Sequence, residues 1–229
     1  MNGRRTKGTK GTKGTKGTEA TQESGSLRSF GSFRSLGSSS DSAGSFIPAH
    51  GGYQKLYSYQ KAEIVYDATV YFCNRFLSRR DRTYDQMVQA ARSGKQNIVE
   101  GSQASGTSKE MEIKLTSVAR ASLEELLIDY RDFLRTRGLA EWSREHPYAG
   151  RLRELNRQPG ANYETFRKGI EHADPAICAN VIVGLIKVTC YLLDHQLRRL
   201  EQDFLQEGGM RERMMRARLE ARERQRGRR

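Results

Sequence analysis

The chain is poor in the residues that usually build reactive sites. Its 229 residues hold three cysteines, four histidines, four prolines and one tryptophan. Cys73, Cys178 and Cys190 form no CxxC pair and no short secreted framework, so they read as small apolar core residues in a reducing cytosol. The histidines His50, His146, His172 and His195 form no HExxH motif and no i, i+4 pair, so no zinc site is expected. No Glu-x-x-His occurs, which excludes a di-iron helical site. No GxxxxGK[ST] occurs and no strand precedes the Gly/Ser stretch at 101–107, which excludes a P-loop. The N-terminus has no apolar core of a signal peptide. The longest apolar run, residues 181–193, is short for a bilayer span and carries Lys187. A cytoplasmic protein with no cofactor, no metal, no membrane partner and no catalytic residues is expected.

What the chain does have is positive charge, formally +13. Its distribution is uneven: residues 1–52 hold 8 Lys/Arg against 3 Asp/Glu, and residues 208–229 hold 9 against 3. The middle, 53–207, is close to neutral, with 23 against 21. Excess charge on two tails points to an anionic partner. Residues 6–18 repeat the unit TKG, and Ser and Gly dominate the next thirty or so. Such a segment buries too little apolar surface to offset its ordering entropy, so 1–52 reads as a disordered leader, a solvated extension or a weak basic arm.

Between the tails the pattern is helical. Steps of three and four link Ile64, Ala68, Tyr71, Phe72, Arg75 and Phe76, predicting a helix over about 58–78. A second is predicted over 83–101, with Thr83 and Gln86 as a capping box. Its apolar side carries Met87, Ala91, Gly94, Ile98 and Gly101. Gly94 costs about 1 kcal/mol in a helix interior relative to Ala, so close approach of a neighbouring backbone is its expected reason. Gly101 and Gly106 read as the turn into a third helix over 108–137, capped by Ser108 and closed by Gly138. Residues 139–174 are irregular, with Pro147 and Pro159 separating short helical pieces near 150–157 and 163–170. Asp174 followed by Pro175 opens a last long helix to about 206, stopped by Gly208 and Gly209. That helix is apolar on more than one face, which implies burial against the 139–174 excursion or against another subunit. The fold class expected is all-α: an antiparallel up-down four-helix bundle with a helical excursion before the last helix and a basic C-terminal helical tail over 208–229.

The candidate site is a set of phosphate contacts. Arg92 and Lys95 on the second helix and Arg120 on the third would line a strip, and Arg211, Arg213, Arg216, Arg218 and Arg222 would follow on the tail. Taken singly, each is also an ordinary solvated residue. The tail pairs Glu212 with Arg216 and Glu220 with Arg224 at i, i+4, so it reads equally as a self-stabilised charged helix or as a segment that orders on RNA or DNA. Glu124, Glu125 and the stretch Glu171, His172, Asp174 read as solvated and capping groups. A scaffold that engages another protein through the apolar last helix and the charged tail is the competing class.

Residues 89–134, QAARSGKQNIVEGSQASGTSKEMEIKLTSVARASLEELLIDYRDFL, resemble the four-helix-bundle family of proteins encoded in intervening sequences of bacterial large-subunit ribosomal RNA genes. That family includes relatives of the accessory variability protein of diversity-generating retroelements. The likeness rests on NIVEG (97–101), the Ser/Gly loop (102–108) and ARASLEEL (119–126), and it extends over about 55–137 and 175–206. EGGMRERM (207–214) is similar to the C-terminal suffix of a longer subset. The resemblance implies a noncatalytic, ring-shaped homo-oligomer, commonly a pentamer. For the retroelement relatives it implies nucleic-acid binding and contact with a reverse transcriptase. The leader and the 139–174 excursion depart from the short family pattern.

Overall fold

The computed structural model describes residues 51–227, and every regular element among them is a helix. A 3-10 turn (Tyr53–Lys55) precedes α1 (Tyr57–Phe76), α2 (Arg82–Ala104), α3 (Lys109–Thr136), α4 (Pro147–Arg157), α5 (Tyr163–Ile170), α6 (Pro175–Glu207) and α7 (Met210–Arg226). The expected leader lies outside the described residues except for Gly51 and Gly52, as do the last two residues of the tail. Gly51 donates its N–H to the Ser102 carbonyl at 3.1 Å, which ties that point of the chain to α2.

The four long helices pack as neighbours in a ring: α1 on α2, α2 on α3, α3 on α6 and α6 on α1. Ser58, at the start of α1, donates to Gln196 Oε1 near the end of α6 at 2.7 Å. Ser93 and Ser122 join α2 to α3 through a hydroxyl pair at 2.9 Å. Phe72 of α1 crosses the ring to meet Tyr130 and Phe133 of α3 edge-on, at 5.0 and 4.8 Å between ring centroids. Such pairs add about 0.5–1.5 kcal/mol beyond area burial. The fully buried Tyr130 hydroxyl donates to Thr69 Oγ1 at 3.2 Å, so its polar end is satisfied inside the core.

The glycines explain how α2 and α3 come so close. A Cβ on Gly94 would stand 2.7 Å from Leu123 side-chain carbons and 3.5 Å from the Ala119 carbonyl, so the space is taken by the Leu123 side chain and not by the backbone expected there. Gly101 differs from expectation. It is buried inside α2, which runs on to Ala104, and a Cβ there would lie 3.4 Å from the Glu112 carbonyl and Leu115 Cβ. Those are ordinary van der Waals distances, so Gly101 sits in the α2/α3 contact as a helix residue, and the turn is made after it, where Thr107 and Ser108 donate to the Ala104 carbonyl at 3.0 and 2.8 Å.

Two other local expectations change. Asp81, and not Thr83, caps α2: its carboxylate accepts the Thr83 N–H at 2.9 Å, because an aspartate two residues earlier reaches the first free amide. Pro147 does not break the excursion but occupies the first turn of α4, where no N–H is needed. Ser108, Asp174 and the positive φ of Gly138 and Gly208 act as expected at the ends of α3 and α6.

The second apolar face of α6 is met by α5, and more lightly by α4. Val181 of α6 fits against Gly169 of α5, where a Cβ would be 2.8 Å from Val181 Cγ2, and Leu152 of α4 is seated on Gly184. The segment Pro175–Arg226 contains a window long and apolar enough, by length and composition, to cross a membrane, more than the 181–193 run suggested. Of that window 61% is buried within the protein.

Candidate nucleic-acid interface

On the helical ring the three expected phosphate ligands do not converge. Arg92 is exposed on α2 and forms no ion pair among the described residues. Lys95, one turn on, is half-buried and turns to α1, with Nζ 4.2 Å from the centroid of the Tyr66 ring. It also faces Asp67, whose carboxyl is pushed up by burial and drawn partly back by Lys95. Arg120 turns the other way. It reaches Glu124 within α3 at 3.2 Å and Asp194 of α6 at 2.5 Å. Lys95 therefore belongs to the α1/α2 side and Arg120 to the α3/α6 side, each already holding a partner.

The tail arginines are arranged differently. Helix α7 has no buried residue, and Arg211, Arg218 and Arg222 are exposed with no ion pair among the described residues. Arg216 donates to the Glu207 carbonyl, fastening α7 back on the end of α6. Arg213 is half-buried, with Nε and one terminal nitrogen out of contact with solvent and without a hydrogen-bond partner. Of the expected i, i+4 pairs, Glu220–Arg224 forms at 3.5 Å. Glu212 instead accepts the Gly209 N–H at 2.9 Å, supplying the start of α7 with an acidic cap. Three of the five tail residues are thus free to meet an anion.

Of the acidic groups considered for chemistry, Glu125 is exposed without an ion pair among the described residues, and the others are used within the fold. Glu124 holds Arg120, Glu171 accepts from Arg167 and the Tyr163 hydroxyl, and Asp174 caps α6. Burial pushes the thiols of Cys73, Cys178 and Cys190 up to about 12, which keeps them protonated at neutral pH. No group of three His, Cys, Asp or Glu side chains is placed to hold a metal ion among the described residues.

Sequence reasoning passed over the excursion. Between α4 and α6 lies an open cleft of about 320 Å³ lined by Trp142, Arg144, Leu152, Arg153, Asn156, Val183, Lys187 and Tyr191. The one tryptophan of the chain, set among arginines, was the available signal. No protein-family model, curated protein or solved structure matches this chain.

Proposed function

We propose that this chain is a noncatalytic RNA- or DNA-binding accessory protein that acts through phosphate contacts as a homo-oligomer in the cytoplasm. In this reading α1, α2, α3 and α6 form an antiparallel up-down four-helix bundle, similar in plan to the intervening-sequence proteins. The observation that carries it is α7, a helix with no buried residue that presents Arg211, Arg218 and Arg222 unpaired. A lone arginine on a surface is unremarkable. A helix with three arginines that have neither core nor acid to serve is suited to an anionic polymer. Arg92 adds to it from α2, whereas Lys95 and Arg120 serve the helical ring first. Self-association is supported by the outward apolar residues Val118 and Ile128 on α3, exposed by 41% and 57%.

The test is the salt dependence of binding to a labelled single strand. Four phosphate contacts give a slope of about −3 in a plot of log affinity against log salt. A flat profile, or no binding at low salt, rejects the proposal. Deleting residues 208–229 is expected to remove most of the affinity and to leave the light-scattering mass per oligomer unchanged apart from the tail.

A second reading is a protein-interaction scaffold. Met215, Leu219 and Met214 of α7 are exposed by 64%, 46% and 41%, a flexible apolar edge suited to a partner helix. In that case the same deletion releases a co-purifying protein and changes no nucleic-acid signal.

A further inference from the structure

We infer that the cleft between α4 and α6 is a nucleotide subsite, taking one base of a single-stranded nucleic acid with its phosphate on the rim; this rests on the nucleic-acid function proposed above. Where the excursion leaves α3 it is held by a buried amide and an ion-paired glutamate. Asn180 of α6 accepts the Trp142 N–H at 2.7 Å through Oδ1 and donates Nδ2 to the Ala140 carbonyl at 2.9 Å. Glu141, between them, takes Lys187 at 2.6 Å and Arg131 at 3.0 Å. Four contacts on three consecutive residues fix the backbone that carries Trp142. Its ring lies parallel to His146, 4.9 Å away and 4° from coplanar.

The cleft's chemistry suits a nucleotide. Its volume, about 320 Å³, lies at the small end of the range for small-ligand sites, about 300–1,000 Å³. Trp142 and Tyr191, the latter 61% exposed, both line it, and flat rings of this kind are what single-strand binders offer to bases. Leu152, Val183 and Val188 supply apolar lining. Arg144 and Arg153 also line it, both exposed and with no ion pair among the described residues, so a phosphate would meet uncommitted guanidinium groups. Lys187 is already taken by Glu141.

Asn156, which also lines the cleft, has its Nδ2 committed to the Leu152 carbonyl at 3.0 Å. A purine offers the larger stacking area, so oligo(A) is the probe to use.

The experiment exploits Trp142 as the chain's single tryptophan. The full-length protein is titrated with labelled oligo(A), following oligonucleotide anisotropy and Trp142 emission together. Binding here quenches or shifts the emission with the same midpoint as the anisotropy. Trp142→Leu, and separately the double change Arg144→Ala with Arg153→Ala, each weaken binding about ten-fold. The exposed arginine pair keeps the test valid if Trp142→Leu fails to fold, as circular dichroism reports. Normal anisotropy binding with constant Trp142 emission and an unaffected arginine variant overturns the subsite and leaves the nucleic-acid function standing. No anisotropy change at low salt overturns both. Saturation of the Trp142 signal by AMP alone, with nothing added by the oligonucleotide, overturns the assignment to a strand.

Discussion

α6 spans 33 residues with 12 of them buried; α7, two glycines later, spans 17 with none. Both are helical, for different physical reasons. In α6 the helix is held by what surrounds it: Ile182, Leu185, Ile186 and Leu193 are fully buried, each worth about 1.5–3 kcal/mol relative to exposure. α7 has mainly local support, from the Glu212 cap, the Glu220–Arg224 pair and residues of high helix propensity, with one tie to α6 through Arg216 and the Glu207 carbonyl. A helix of that length is marginal when it stands by itself. A surface that owes nothing to a core is free to carry charge, and under the proposed function the two helices divide stability and recognition between them.

The largest effect that tests this division comes from the core side. Phe72→Ala removes the ring that joins α1 to Tyr130 and Phe133 and is expected to cost about 3–5 kcal/mol in urea unfolding followed by circular dichroism. Leu219→Ala in α7 is expected to stay within about 0.5 kcal/mol of wild type. Equal losses from the two changes would break the comparison.

Glycines sharpen it next. Gly94→Ala gains helix propensity, but its Cβ meets the buried Leu123, and a net loss of about 1 kcal/mol is expected from the balance of overpacking and propensity. Gly150→Ala in α4 has only the tip of Arg153 near it, at 3.8 Å, and is expected to gain about 0.5–1 kcal/mol, read as a rise in Tm.

Capping tests the rule that local contacts matter where burial is absent. Asp81→Ala is expected to lose about 1 kcal/mol, and Thr83→Ala clearly less, in the same denaturant assay.

The smallest effect is electrostatic. Burial tends to raise the Glu141 carboxyl, but hydrogen bonds from Lys187 and Arg131 outweigh it and hold the group below its ordinary value of 4.5. A carboxyl depressed in the folded state stabilises above its unfolded pKa, and the contribution is lost as pH falls through the folded one. Wild type is therefore expected to lose up to about 1 kcal/mol more than Glu141→Gln between neutral pH and pH 3, measured as the difference in unfolding free energy.

Much of the helical pattern was legible in the sequence, because long helices with a buried face write a repeat of three and four that four consecutive turns make plain. The ends were legible where one residue settles them, as with Ser108, Asp174 and Gly208. They were misread where two candidates competed: Asp81 and Thr83 both suit a cap, and only backbone position separates them. Gly101 looked like a turn because it begins a Gly/Ser run, whereas it lies inside α2, buried against α3. The candidate site was less legible. Arg92, Lys95 and Arg120 are alike on paper, but their directions depend on Tyr66 and Asp194, which lie far away in the chain. The Trp142 cleft left no periodic trace, since irregular backbone brings its parts together.

Asn180 and Lys187 on α6, with Arg131 on α3, fix where the inserted chain leaves the helical ring, and Asp174 with Pro175 fixes where it returns. Between those points the stretch is held by Leu152, Phe166 and Ile170 in the core and by hydrogen bonds from Lys61, Tyr71 and Cys178 to the carbonyls of Ala161, Glu171 and Ile170. The inserted chain is thus pinned at both ends and along its length, so changes confined to its exposed residues, Arg144 and Arg153 among them, can alter what the cleft meets without moving the frame.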